Sequence, residues 1–457
     1  MRRKILVIGG GPAGMLSAIS AARNGAEVVL LERNPMPGKK LSATGNGRCN
    51  FTNRSMTKDV YRGDDLDFAW KVLDSFGSEE TVHFFSELGV ETKWRDTYAY
   101  PQSDEARSVT EALCDELKRL DVQVVCNIMV KDIRVNKSAA SKGQDIHKKH
   151  SSKKNIPKAN GSDQDGYRFT VFAEEAIYPK ATPKKGRLKP ERFERRIFLG
   201  DTVILCTGSK AAPSTGSDGS GYRMAEHLGH HIVPVVPALT GIRCHGSQYA
   251  SLAGIRTDAT VSCYVENLCA AVDTGELQLT DYGISGIPVF QIERFVAKAL
   301  LEKKPCYVEI NFLPGKTDEE AEQYFFSRKE RLSERTIGHF FTGLFHEKLG
   351  AFFLSETELH ADRMVSTLKK RDIQALCHVI LHYTAKPLEV NDFSMAQSAA
   401  GGVDTREVDP FTMESKRCKG IYLAGELLDI DGKCGGYNLQ FAFATGMIAG
   451  RAASIAK

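Results

Sequence analysis

Residues 4–32 read KILVIGGGPAGMLSAISAARNGAEVVLLE. Lys4–Ile8 is a short, continuously apolar run, as in a strand buried on both faces of a parallel sheet. Gly9, Gly11 and Gly14 follow as GxGxxG, with Pro12 where a first helical turn tolerates a residue without an N–H. Met15, Leu16, Ile19 and Ala22 recur at helical spacing, and Asn24-Gly25 ends the helix. Glu27–Leu31 is a second buried strand, closed by Glu32. Strand, glycine turn, helix, strand and terminal acid predict a Rossmann-like βαβ unit.

Each part has a physical task. Gly9 permits the tight turn, and Gly11 lets a pyrophosphate approach the backbone beside Pro12 and Ala13. Gly14 lets helix and strand pack closely. The anion would sit on the helix N-terminus, where N–H groups are free and the dipole is positive. Glu32 is placed to accept from adenosine ribose hydroxyls, which favours FAD or NAD over NADP at this position.

The next residues choose between the two. Arg33 and residues 38–53, GKKLSATGNGRCNFTN, do not continue as a nicotinamide domain does. A loop so rich in glycine and cations can wrap a longer dinucleotide. Lys40 and Arg48 are candidates for pyrophosphate or substrate charge, with a solvated basic loop as the competing reading, and Arg33, Gly47, Cys49 and Asn50 are candidate cofactor-binding residues beside them. Near the other end, residues 420–446 read GIYLAGELLDIDGKCGGYNLQFAFATG. Here a strand ends in Gly425 and Glu426, an acid placed for a ribityl hydroxyl. Gly435 and Gly436 then open a helix at Tyr437 and Asn438, offering unhindered N–H groups to a flavin pyrimidine. A further buried strand ends at Thr207 and Gly208. Residues 216–221 lack the helix start and the following acid of a second nicotinamide fingerprint, and are expected to edge the same site. Both ends of the chain are therefore expected to hold one non-covalent FAD.

The 457 residues exceed one simple core, and 42% hydrophobic and 26% charged content are ordinary for a globular protein. A net charge of +4 favours neither nucleic acid nor membrane. The eleven cysteines show no CxxC pair and no metal spacing, so reduced thiols and no metal are expected. The apolar run after Arg2-Arg3 stops at Gly9, short of the about 7–15 residues of a secretory segment, and a cytoplasmic protein is expected.

In the middle, 104–120 has the spacing of an amphipathic helix. Residues 122–130, 166–172 and 195–205 then read as a small antiparallel meander returning to the sheet. Lysine-rich insertions at 137–165 and 179–190 are expected to be disordered hairpin tips; without interleaved aromatics for base stacking, no nucleic-acid partner is expected. Residues 232–316 read as a β-rich inserted substrate domain. Thr317 to Glu320 form a capping box that opens a helical domain, 317–385. The FAD-binding domain is thus expected to be discontinuous, 1–231 and 386–457. Tyr282 is a potential proton donor, with simple packing as its competing role.

GGGPAG at 9–14, the 38–53 block, LTDYGISGIPVFQI at 279–292, AGGVDTREVDPFTMES at 400–415 and the 420–446 block resemble the BaiN/RdsA family of NAD(P)/FAD-dependent oxidoreductases. The resemblance implies an α/β flavoprotein with a discontinuous Rossmann-like FAD domain, an inserted β-rich domain and a small helical domain. It also implies divided chemistry. One branch reduces the Δ4 and Δ6 double bonds of 3-oxo bile acids with NAD(P)H as transient donor, and another oxidises aminoacetone with oxygen. Flavin-dependent RNA modification, or an RNA-binding flavoprotein, is a third class. A small-molecule substrate, steroid enone or small amine, is the expected partner.

Overall fold

The computed structural model describes residues 2–136, 166–179 and 189–455. The insertion at 137–165 and most of that at 179–190 lie outside the described residues. Strands β1 (Lys4–Ile8), β2 (Glu27–Leu31), β3 (Gln123–Val125), β4 (Thr202–Leu205) and β5 (Ile421–Leu423) form a parallel sheet in the order β5-β4-β1-β2-β3. Ile5, Leu6 and Val7 are fully buried, as the unbroken apolar run requires of a strand covered on both faces. Helix α1 (Pro12–Arg23) joins β1 to β2. With β2 on one side of β1 and β4 on the other, the strand order reverses beside β1, and a crevice opens at its carboxyl end.

The C-terminal helix α2 (Tyr437–Ile455) lies along α1, and glycine sets how close the two come. A Cβ on Gly446 would stand 2.4 Å from the Ala13 carbonyl oxygen, and one on Gly450 would stand 2.2 Å from that of Ser17. Ser20 Oγ donates to the Met447 carbonyl across the same seam, at 2.9 Å. The end of the chain is thereby packed against the first turn of its beginning.

The meander begins later than its sequence pattern suggests. Residues 123–125 pair with Val29–Leu31 and extend the parallel sheet. Only from Ile128 does the chain enter the antiparallel set Ile128–Val135, Phe169–Ile177 and Arg192–Gly200. Two short pairings complete this part of the chain. Thr92–Arg95, Tyr98–Pro101 and Thr52–Asn53 form one, and Tyr61–Arg62 with Asp431–Gly432 the other.

Two compact units result, Met1–Val235 with Gly401–Lys457, and Val236–Ala400. The second holds a seven-stranded antiparallel sheet. Helices Ile287–Leu301, Asp318–Arg331, Glu347–Glu356 and Lys370–Leu381 share one hydrophobic core with it. The capping box forms: Thr317 Oγ1 accepts from Glu320 N at 3.3 Å, and Thr317 N donates to Glu320 Oε2 at 3.0 Å. The structure therefore groups the β-rich and helical segments in one unit, where the sequence pattern separates them at 316/317. It also carries that unit past 385, to Ala400, and Pro387–Val390 pairs with Ile242–Cys244 to complete the sheet. Among the described residues, no helix is long and apolar enough to cross a membrane.

Candidate functional site

The glycine turn after β1 is shaped by contacts that exclude side chains. Gly9 has φ +102°, and a Cβ there would lie 2.4 Å from the Cys206 carbonyl oxygen. A Cβ on Gly14 would lie 1.8 Å from the Gly9 carbonyl oxygen, so helix and turn touch directly. Gly11 differs: nothing stands within 4 Å of its Cβ position, and as N-cap of α1 it supplies no side-chain hydrogen bond. An uncapped helix start with open space beside it, over Pro12, Ala13 and Gly14, fits a pyrophosphate. Glu32, nearly buried, ends β2 as expected and is held firmly. Its Oε2 accepts from Gly10 N at 2.7 Å, and its Oε1 from Asn34 N and Nδ2 at 2.7 and 2.6 Å. A carboxylate has about four acceptor sites, so capacity for a ribose hydroxyl remains.

Arg33, a candidate for ligand contact, reaches the loop beyond β4. Its guanidinium donates to the Gly216 carbonyl at 3.0 Å and pairs with Asp218 Oδ2 at 2.6 Å. Burial pushes the Asp218 carboxyl up, but hydrogen bonds from Ser220 and Arg33 more than offset this and hold it below the usual range. Asn34 Nδ2 and Lys39 Nζ donate to the carbonyls of Thr215 and Ser214, at 2.9 and 2.6 Å. The 214–218 loop is thus fastened to the end of β2. Behind it, Thr207 and Gly208 follow β4. Thr207 Oγ1 and Tyr222 Oη are buried without a hydrogen-bond partner among the described residues.

Lys40 and Glu426, read as separate contacts to a ligand, meet each other. Lys40 Nζ lies 2.6 Å from Glu426 Oε2, and Ser209 Oγ is 3.3 Å from the same oxygen. Gly425 places this pair at the start of α1: its N–H donates to Thr445 Oγ1 at 2.9 Å, and its Cβ position is 2.9 Å from Ala13 Cβ.

The 38–53 and 420–446 loops also touch. Gly45, Asn46, Gly47 and Cys49 have positive φ, so the 44–50 loop coils tightly. The Cys49 side chain is fully buried in the core, and burial pushes its thiol up to about 12. It is a packing residue and no nucleophile. Asn50 Nδ2, with the amide turned nitrogen-inward, donates to the Thr52 and Ala99 carbonyls at 2.9 and 3.1 Å. A Cβ on Gly436 would stand 2.7 Å from the Thr52 carbonyl oxygen, and one on Gly435 2.9 Å from Tyr98 Cε1. Asn53 Nδ2 donates to the Gly435 carbonyl at 2.9 Å. Tyr437 Oη donates to the Ser55 carbonyl at 3.0 Å, and the Asn438 amide brackets Gly432 at 2.8 Å in both directions. The side chains of Asn50, Tyr437 and Asn438 therefore fasten the loops, which leaves the glycine backbone for a ligand.

Tyr282 belongs to the other unit. There Asn391 Nδ2 donates to its hydroxyl at 3.1 Å, and the Arg243 guanidinium lies 5.0 Å from its ring centre. Sequence reasoning passed over the 92–101 hairpin, although KWRDTYAYP, at 93–101, interleaves cations and aromatics in a period of two. Among the described residues, no group of three His, Cys, Asp or Glu side chains could hold a metal ion.

A family model described as the HI0933-like protein Rossmann domain matches residues 3–180 and 168–452. A 3-dehydro-bile acid delta(4,6)-reductase of Clostridium scindens is 40% identical over 453 residues, 99% of each chain. A ribosomal RNA dihydrouridine synthase of Escherichia coli is 24% identical over 443 residues, 96% of this chain and 95% of that one. Among solved structures, a 3-ketosteroid-delta4-(5alpha)-dehydrogenase from Rhodococcus jostii is 14% identical, with a TM-score of 0.43, covering 99% of this chain and 97% of that one. With the glycine turn, the two loops and the parallel sheet all inside the matched residues, this chain belongs to the HI0933-like Rossmann family.

Proposed function

We propose that this protein is an FAD-dependent oxidoreductase that uses NAD(P)H to reduce conjugated C=C bonds, Δ4 or Δ6, of 3-oxo steroid acids. The observation that carries this reading is 40% identity along 99% of both chains to a protein named as a 3-dehydro-bile acid delta(4,6)-reductase. When bound, the flavin supplies hydride chemistry. The chain supplies the cradle. The first turn of α1 would take the pyrophosphate, Glu32 the ribose, and the Lys40–Glu426 pair a neighbouring polar group. The Gly435-Gly436 amides would hold the flavin ring, and fixed N–H donors there would favour charge that builds on reduction. No step is assigned to Tyr282, whose partners all lie within Val236–Ala400.

The test follows the flavin spectrum of the holoenzyme without oxygen. NADH or NADPH is expected to bleach it, and a 3-oxo-4,6-dienoyl bile acid to restore it with one double bond reduced per cofactor oxidised. Bleaching by aminoacetone and by neither nicotinamide would replace this reading with an amine oxidase. A second reading, RNA modification, is favoured by the 24% identical relative. It takes precedence if unmodified ribosomal RNA restores the colour and the steroid does not.

A further inference from the structure

The hairpin of Thr92–Arg95 and Tyr98–Pro101 adjoins both glycine loops. Phe51 N donates to the Ala99 carbonyl at 2.9 Å, and Tyr98 packs on Gly435. Tyr100, next along the strand, feels the charges of Arg95, Arg48 and Cys434; burial nonetheless holds its phenol protonated, above its usual range. The Arg95 guanidinium lies 5.0 Å from the Tyr100 ring centre. The charges at this corner do not balance. Asp104 accepts from Lys93 Nζ at 2.7 Å and, with both carboxylate oxygens, from Arg95 Nη2 at 2.9 and 2.8 Å. Arg48 is exposed, makes no ion pair among the described residues, and lies two residues before Asn50, whose amide donates to the Ala99 carbonyl of the hairpin at 3.1 Å. Two cations thus share one carboxylate and the third has none, beside a phenol that can donate a hydrogen bond.

We propose that Arg48, with Tyr100 and Arg95, binds the carboxylate of an acidic substrate. The proposal rests on the enone reading above and deepens it. A guanidinium presents a planar fork that matches a carboxylate through two parallel hydrogen bonds, and a neutral ester accepts the same bonds more weakly. Arg95 over the Tyr100 ring limits the movement of the phenol, so its hydroxyl is a preset third donor. A phosphate of the cofactor would offer the same oxyanion chemistry. The residues favour the substrate, because the features that fit a pyrophosphate gather elsewhere, at Gly11, Ala13 and the Lys40–Glu426 pair. Arg48 stands on the loop whose Asn50 and Phe51 bond to Ala99 of the hairpin.

The experiment uses the full-length holoenzyme without a reductant. Binding is read from perturbation of the flavin spectrum by two acid and methyl ester pairs, a 3-oxo-4-ene steroid acid and cinnamate. Wild type is expected to prefer each acid by about tenfold or more, as charge-assisted hydrogen bonds allow. In Arg48→Gln the preference should fall below about threefold, and in Arg48→Lys it should be intermediate, as for a point charge without the fork. The FAD dissociation constant of each variant, from fluorescence of the apoprotein titrated with FAD, should stay within about threefold of wild type, since no lost ligand contact is expected. No acid preference in wild type, with either pair, overturns the proposal. So does an intact preference in Arg48→Gln, and so does a tenfold loss of FAD affinity with the preference retained, which would give the corner to the cofactor's phosphate. Preference for cinnamate with no binding of either steroid supports the corner and sinks the steroid reading. Wild type that reduces the steroid yet shows no acid preference sinks the corner and keeps the enone reading.

Discussion

In Val236–Ala400, Phe312, Phe325, Phe341, Phe345 and Phe353 meet at ring-centre distances of 5.1–6.0 Å, and the core is filled by side-chain volume. In the other unit, the decisive contacts are made where side chains are missing. Gly9, Gly14, Gly446 and Gly450 each bring a backbone carbonyl within 2.4 Å of a Cβ position. Ring packing tolerates trimming by degrees, since neighbours relax part of the way into the space. Backbone contact tolerates no addition, because a carbonyl cannot move aside without moving its helix. The contrast matches the tasks of the two parts. A dinucleotide would be held by backbone N–H groups and helix ends, which must come close, whereas the proposed substrate domain is stabilised by a full core.

Three substitutions would break or sharpen this comparison. Both tryptophans, Trp70 and Trp94, lie in the first unit, so their emission reports its unfolding, and circular dichroism reports both units. The largest effect is expected from Phe353→Ala, a loss of about 3–5 kcal/mol in denaturant titration. It should appear by circular dichroism with FAD affinity unchanged; Phe353→Leu should cost less than half as much. Gly446→Ala adds only a methyl, yet is expected to cost about 1–3 kcal/mol by tryptophan emission. It should also weaken FAD binding, because Ala13 would be displaced. An alanine at Gly446 that leaves both readouts unmoved would show that α1 and α2 are not held by close approach.

The smallest effects are expected from two histidines with opposite pH behaviour. His230 is buried, with Nδ1 3.2 Å from Glu407 Oε2 and Nε2 2.7 Å from Ser415 Oγ. Burial lowers its pKa despite Glu407. Its contribution is therefore present above the unfolded value of about 6.5 and is lost as pH falls through the folded one. His382 is partly exposed. Its burial would lower the pKa, but Asp318 and Glu309, at 3.0 and 3.3 Å, raise it. Its contribution is complete below about 6.5 and is lost as pH rises through the folded value. Between pH 8 and 5, the tryptophan-detected midpoint should fall through His230, and His230→Gln should flatten it. Over the same range, His382→Gln should remove a rise seen only by circular dichroism. Parallel slopes in the two readouts would mean that the units do not titrate independently.

Local patterns carried much of this molecule. The KILVI and EVVLL strands, the GxGxxG turn, the acid at Glu32 and the Thr317–Glu320 capping box are readable because each depends on neighbours within a few residues. Partners far along the chain were not readable. Arg33 is held by Gly216 and Asp218, Lys40 is neutralised by Glu426, Cys49 is sealed in the core, and the second unit runs past 385, where Pro387–Val390 pairs with Ile242–Cys244.

By itself, then, the sequence determined the βαβ unit, its glycine turn and the family, since apolar periodicity and backbone freedom are local properties. Only the tertiary structure decided which charges remain available to a ligand. An ion pair depends on two side chains meeting, and residues 40 and 426 meet only when α2 has packed against α1. The same closure leaves Arg48 without a carboxylate of its own among the described residues, at the corner where the two loops and the 92–101 hairpin converge.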